Sequence, residues 1–406
     1  MSKSTKTVIP AKAGIQKTNG LVPRLRFPEF SDAGEWTTKP LGKILSIGNG
    51  KDHKHLPDGD VPVYGSGGYM RSVNDYLYDG ESVCIGRKGT IDKPVYLKGK
   101  FWTVDTLFYT HSFNNSVPRF VYALFQNIEW LKHNEAGGVP SLSKTNIAKI
   151  EVAIPEVSEQ QKIADCLSSI DALIAAQADR IDAVKTHKKG LMQQLFPREG
   201  ETVPRLRFPE FQGAGEWEEK SLGEVGQIIT GKTPSTKNTD LWGKGIPFIT
   251  PTDISEDRKY QRITAREVLK TKDVKTIPAG SIVYTCIASI GKIALTTCES
   301  TTNQQINSIV VNRALNNEFV FYALVNLTPW IKSIPASSTL AIINKTEFSN
   351  ILVNFPTNGA EQKRIADCLA SLDGVITAHT EKLDALKTHK RGLMQQLFPS
   401  PEAVGV

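Results

Sequence analysis

Cysteine is scarce in this chain of 406 residues: five in all (Cys84, Cys166, Cys286, Cys298 and Cys368), with no CxxC pair and no close histidine partner. That excludes a zinc ribbon, argues against a disulfide framework and fits a reduced, cytoplasmic compartment. No run of roughly 18 apolar residues occurs, which excludes a membrane-spanning helix. Residues 1–22 carry four lysines without the apolar stretch of a secretory signal, and read as a flexible tail. Catalytic signatures are also missing. There is no Asn-Pro-Pro-Tyr or Asp-Pro-Pro-Tyr run, no glycine-rich strand-to-helix turn for a methyl-donor cofactor, and no His or carboxylate cluster with metal-ligand spacing. The reading is of a chain that is not itself an enzyme and holds no metal.

Excess charge is modest too. Of the formal +7, the tail supplies +4; residues 23–155 hold 16 Lys and Arg against 14 Asp and Glu, and residues 204–357 hold 17 against 14. Net charge is therefore weak evidence for a nucleic-acid partner. What is present is globular: 40% hydrophobic and 22% charged residues, in a length that suits two or three domains.

The chain is written twice. VPRLRFPEFSDAGEW at 22–36 returns at 203–217 with 13 of 15 positions identical, and residues 159–197 return at 361–399 with 25 identities in 39. Between them lie dissimilar segments with shared punctuation. Gly80-Glu-Ser-Val-Cys84 matches Gly280–Cys286, Tyr122-Ala-Leu matches Tyr322-Ala-Leu, Trp130 matches Trp330, Lys144-Thr matches Lys345-Thr, and Ile154-Pro matches Phe355-Pro. The boundaries expected are a tail (1–22), a variable domain (23–157), a long helix (158–197), a linker (198–203), a second variable domain (204–357), a second long helix (358–399) and a tail (400–406).

The constant segments carry a heptad seam. Ile163, Leu167, Ile170, Ile174, Ile181, Val184, Leu191 and Leu195 follow in alternating steps of three and four, with Gln177 and Lys188 as polar interruptions. Ile365, Leu369, Leu372, Ile376, Leu383, Leu386, Leu393 and Leu397 repeat the register, with His379 and Lys390 interrupting. Ser158 and Gln161 suggest a capping box, and Pro197 and Pro399 end the helices. Each rod is on the order of 55 Å long. Its nearest partner is its own copy, and two like units about a pseudo-two-fold set the pair antiparallel. Leu173, Ala176, Met192, Val375 and Met394 widen the stripe, as if further helices pack alongside.

The variable segments alternate short β-rich runs with a helix near 120–132 and 318–332, and each reads as an α/β domain with many loops. Loops on a rigid scaffold are where recognition usually sits. In the first domain the polar, glycine-flexed loops hold Lys51, His53, Lys54, His55, Ser66, Tyr69, Arg71, Arg87 and Lys88. In the second they hold Lys232, Ser235, Thr236, Lys237, Asn238, Thr252, Asp253, Ser289, Lys292, Asn303 and Gln304. Arg and Lys reach phosphates or guanine acceptors, and amides pair with adenine edges, so these are candidate DNA-binding residues. Gly226–Thr233 satisfies the P-loop pattern, but Pro234 follows at once where a helix must start, and no strand ends in a magnesium-binding Asp at a plausible spacing. A nucleotide-binding enzyme using Lys232, and a coiled-coil scaffold without a nucleic-acid role, are the competing readings.

From about residue 23 to 399 the chain resembles the specificity subunit of type I restriction-modification enzymes. The likeness rests on Trp36 and Trp217 with Leu41-Gly and Leu222-Gly opening each domain, Gly231-Lys-Thr-Pro, Thr302-Asn-Gln-Gln305, Ile154-Pro-Glu, and helices beginning Glu-Gln and ending Gly-Leu-Met-Gln-Gln-Leu-Phe-Pro. The resemblance implies two target recognition domains separated by an antiparallel coiled coil, each reading one half of a bipartite, asymmetric DNA site. It implies helices that set the unread spacer and dock two modification subunits, which bring S-adenosylmethionine and methylate adenine. Through these come the restriction subunits, which use ATP and Mg, while this chain holds no cofactor of its own.

Overall fold

Apolar residues spaced by two, interrupted by glycine and proline, fold the first variable segment into strands. The computed structural model describes residues 21–256, 258–333 and 342–399, so the tail residues 1–20 and 400–406 lie outside the described residues. The chain divides into two units, residues 1–177 with 382–406 and residues 178–381. In the first, β1 (Thr37–Pro40), α1 (Leu41–Ile44), β2 (Ser46–Asn49), β3 (Asp58–Gly65), β4 (Gly68–Val73), β5 (Tyr78–Gly86), β6 (Val95–Thr103) and β7 (Leu107–His111) precede α2 (Pro118–Asn127), α3 (Lys144–Lys149) and β8 (Glu151–Ile154). The long helix α4 (Val157–Leu195) follows. Six strands form one sheet in the order β2-β7-β5-β6-β3-β4, antiparallel except for β3 beside β6, and β1 pairs with β8. One sheet face packs Ile47, Val83, Ile85 and Phe108 against Phe120, Val121 and Leu124 of α2.

The second unit repeats this plan with changes. It contains β9 (Glu218–Ser221), α5 (Leu222–Val225), β10 (Gly226–Thr230), β11 (Trp242–Ile249), β12 (Tyr260–Gln261), β13 (Arg266–Val268), β14 (Ile282–Thr285), β15 (Ile293–Thr296), β16 (Thr301–Thr302) and β17 (Ile306–Val311). Then come α6 (Asn317–Ser333), α7 (Lys345–Ser349), β18 (Leu352–Phe355) and the long helix α8 (Gly359–Leu397). The strand order is β10-β17-β14-β15-β12 in one sheet and β13-β11-β16 in another. The single strand β6 of the first unit is thus split here into β15 and β16, and β11 runs parallel to β16 as β3 does to β6. These bodies are the two α/β domains expected.

Strand register corrects one of the matches read from the letters. Ile85 pairs with Phe108 and Gly86 with Leu107; Tyr284 pairs with Asn307 and Thr285 with Ile306. Arg87 N–H then donates to Thr106 O, and Cys286 N–H to Gln305 O. Cys286 therefore stands where Arg87 does, not where Cys84 does: a shared cysteine does not fix register when strand lengths differ. Trp130 is buried at 1% exposure whereas Trp330 is 42% exposed, so these tryptophans do different things. Lys144 and Lys345 do correspond, each opening the helix before the edge strand. The tail boundary also moves. Leu21 already accepts from Trp36 N–H and packs on the core, so the ordered body begins before residue 23.

Each unit takes half of each long helix. In the first, Ile163, Ala164 and Leu167 of α4 share a core with Leu397 and Phe398, and Lys390 lies against Asp171. In the second, Leu195, Phe196 and Met192 share a core with Ile365, Ala366 and Leu369, and Lys188 lies against Asp373. Within each unit the two helix segments accordingly run antiparallel. All sixteen seam residues are buried or half-buried. The capping expectation fails: α4 starts at Val157, so Ser158 is already inside it, and Gln161 donates to Asp165 instead.

The constant segment 22–36 proves to be a strap. Arg26 grips Glu159 at the start of α4 with two hydrogen bonds (2.8 and 2.7 Å), while Leu25 N–H donates to Gln396 O near the end of α8. In the second unit Arg207 grips Glu361 (2.7 and 2.8 Å) and Leu206 N–H donates to Gln194 O. Near-identical helix ends need a near-identical staple.

Candidate nucleic-acid interface

In the first unit three loops converge on one turn, Val104-Asp105-Thr106, between β6 and β7. Lys51 N–H donates to Thr103 O (2.8 Å), Val104 N–H to Tyr64 O (2.9 Å) and Arg87 N–H to Thr106 O (2.8 Å). Trp102 Nε1 closes the first loop by donating to Lys51 O at 2.9 Å. Gly50 is required by the approach: a Cβ there would stand 1.9 Å from Val104 O. Asp105, at the tip of the turn, is exposed, as are Lys51, Lys54, His55, Arg87 and Lys88 around it.

The second unit builds the same arrangement on Asn303-Gln304-Gln305. Lys232 N–H donates to Thr302 O (3.0 Å), Asn303 N–H to Ile249 O (3.1 Å) and Cys286 N–H to Gln305 O (2.8 Å). A Cβ on Gly231 would meet Thr302 Oγ1 at 2.2 Å and Asn303 O at 2.3 Å. Gly50-Lys51 and Gly231-Lys232 are thus one device used twice, a glycine against the turn and a lysine exposed beside it. Gln304 takes the place of Asp105, with Thr233 Oγ1 donating to its Oε1 at 2.6 Å.

The remaining sequence candidates divide by what their side chains already touch. Ser66 and His53 are half-buried, with Ser66 N–H directed at Thr106 Oγ1 across 3.5 Å. Tyr69 and Arg71 lie on β4: Tyr69 is 62% exposed with its ring 6.2 Å from that of Tyr64, while Arg71 donates to Asp58 (2.6 Å) and Leu56 O. Ser235, Thr236, Lys237 and Asn238 form an exposed turn beyond Lys232. Asp253 accepts from Thr250 N–H, the Thr250 hydroxyl and Ala265 N–H, and Thr252 joins that turn through Thr250. Asn303 is buried, bracing Gln305 through both its amide atoms. Lys292 Nζ donates to Pro251 O at 3.0 Å, whereas Ser289 remains exposed. Asp253, Asn303 and Lys292 therefore hold the loops in shape. Asp105 and Thr106 were not singled out from the sequence, although Thr103-Val-Asp-Thr106 occupies the place of Thr302-Asn-Gln-Gln305.

The P-loop pattern is not a phosphate cradle. Gly231 and Lys232 N–H groups already donate to Ile306 O and Thr302 O, and the chain runs on to a three-residue 3-10 turn (Thr239–Leu241) rather than a helix. Burial pushes the thiols of Cys84 and Cys286 up to about 12, so neither is a nucleophile near neutral pH. No group of three or more His, Cys, Asp or Glu placed to hold a metal occurs among the described residues, and no helix there is long and apolar enough to cross a membrane.

Each unit is thus an α/β body closed by paired segments of the two long helices, and the two present unlike polar loops on equivalent turns, the plan of a duplicated chain. The family model for the type I restriction modification DNA specificity domain matches residues 33–186 and again 214–388, and the chain belongs to that family. The specificity subunit of the type I restriction enzyme HindI from Haemophilus influenzae is 31% identical over 194 residues, 46% of this chain and 41% of that one. The putative MjaX specificity subunit from Methanocaldococcus jannaschii is 25% identical over 265 residues, 64% of this chain and 60% of that one. These matches span about half the length of those relatives. The crystal structure of the S subunit of a type I restriction-modification system from M. genitalium superposes with a TM-score of 0.64 over 93% of this chain and 99% of that one, at 15% identity, a likeness of fold.

Proposed function

We propose that this chain is the non-catalytic reading subunit of a type I restriction-modification assembly, each unit reading one half of a bipartite, asymmetric DNA site. The observation that carries the reading is one scaffold with two unlike surfaces. The Gly-Lys pair and its turn recur, but Asp105, Arg87 and Lys88 are exposed in one unit and Gln304 and Ser289 in the other. The lysines suit phosphates, and the guanidinium and amide groups suit guanine and adenine edges. The helices offer one docking surface twice: Leu173 and the corresponding Val375 are 57% and 39% exposed at equal positions of the repeat. Two modification subunits seated there would bring S-adenosylmethionine and methylate adenine. Restriction subunits joined through them would bring ATP and Mg, all in the cytoplasm.

The test is the methylation pattern of cells expressing the chain with its modification partner. A bipartite adenine motif is expected, and Gln304→Ala should relax one half of it while leaving the other. A methylome without any bipartite motif overturns the reading. Salt separates it from a scaffold role, since phosphate contacts make DNA retention fall steeply with ionic strength.

A further inference from the structure

Each unit contains a polar joint where its body meets the helix pair. In the second unit Lys188 Nζ lies 2.5 Å from Asp373 Oδ1, and the Tyr322 hydroxyl, carried by α6, donates to Asp373 Oδ2 at 2.5 Å. In the first unit Lys390 Nζ lies 2.7 Å from Asp171 Oδ1 and donates to Gln126 Oε1 of α2 at 3.2 Å. The lysine side chains are only 16% and 14% exposed. They occupy two of the four polar steps of the seam, Gln177 and His379 being the others.

Such pairs add little net stability, because desolvating two charges offsets their attraction; their best-attested service is to specify register. The seam needs it. Leucine and isoleucine recur at the same spacing along both helices, so sliding one helix by a heptad brings apolar residues against apolar residues again. The charges do not tolerate that slip. One heptad either way sets Thr380 or Ala366 where Asp373 meets Lys188, and Ala178 or Ala164 where Asp171 meets Lys390. The two joint positions are 17 residues apart on α4 (171 and 188) and 17 apart on α8 (373 and 390), so both pairs close in a single register.

We propose that Lys188–Asp373 and Lys390–Asp171 are positioning pairs that fix the register of the helices, and with it the number of unread base pairs between half-sites. The function inferred above is assumed here. Tyr322 and Gln126 extend the same control to the angle at which each body meets the helices.

The test uses the full chain assembled with its modification partner, on duplexes carrying both half-sites at varied separation. Replacing both pairs with apolar residues (Lys188→Met, Asp373→Leu, Lys390→Met, Asp171→Leu) should leave a folded complex. That complex should methylate duplexes about three base pairs longer or shorter, with at least a tenfold loss of discrimination between spacers. Reversing the pairs (Lys188→Asp with Asp373→Lys, Lys390→Asp with Asp171→Lys) should restore the single spacer. Unchanged spacer selectivity in the apolar variant overturns the proposal. Register is also read without DNA. A Val184→Cys/Ile376→Cys disulfide should form in the native background, and in the apolar variant it should give way in part to Val184→Cys/Leu383→Cys. A variant locked in the first disulfide alone counts against the register role even if the DNA reading fails.

Discussion

Gly50 and Gly231 show how a single missing Cβ shapes the reading surface. Neither glycine is there for a left-handed backbone; the added atom would press on the carbonyl of Val104 or Asn303, which cannot swing aside as a side chain can. Gly50→Ala or Gly231→Ala should cost about 1–3 kcal/mol by overpacking and weaken one half-site only. Gly213→Ala, with open space around it, should be silent in the same denaturation and DNA-binding measurements. The thiols make a second residue-scale prediction. Buried Cys84 and Cys286 are held near 12 against an ordinary 9, so above pH 9 the unfolded chain loses protons that the folded chain keeps. Their contribution is complete below pH 9 and is lost as pH rises toward 12. Labelling at pH 8 should modify exposed Cys298 first and reach Cys84 and Cys286 only on unfolding. The loops around Lys51 and Lys232 were visible in the sequence as polar and glycine-rich. Their equivalence was not, because it is fixed by strand register across sheets of different strand length.

Among the elements, the strap illustrates what a sequence conceals. Its repetition was plain, but Arg26 and Glu159 are 133 residues apart, and nothing local pairs them. The heptad seam was legible because every step lies within one turn of the next. The start of α4 was legible to within a residue, but its capping was not, because the edge strand β8 ending at Ile154 and the turn after it set that boundary. Arg207 and Glu361 are 7% and 1% exposed, so Arg207→Leu alone strands a buried carboxylate and should cost about 3–5 kcal/mol. Arg207→Leu with Glu361→Leu should recover most of that loss, because the residual charge is gone. Urea denaturation of the single and double variants measures the difference. Equal destabilisation of the two variants would mean that the strap acts through packing of its apolar stem.

For the whole molecule, the division of each helix between two units turns helix length into a testable quantity. Seven residues inserted in α4 after Gln177 separate Asp171 from Lys188 by 24 residues, while Asp373 and Lys390 stay 17 apart on α8. Both ion pairs cannot then close on straight antiparallel helices, and one unit must lose its joint. Inserting a heptad in α8 after Glu381 as well restores the match, because both helices lengthen by roughly 10 Å at 1.5 Å per residue. The single insertion should therefore yield a destabilised protein with weakened methylation. The double insertion should yield a stable one whose preferred DNA site has the same two half-sites separated by about three more base pairs, at 3.4 Å per pair. Methylation sequencing reads the spacer directly. If the double insertion leaves it unchanged, the helices do not set the separation, and the exposed stripe carrying Leu173 and Val375 would have its role in docking alone.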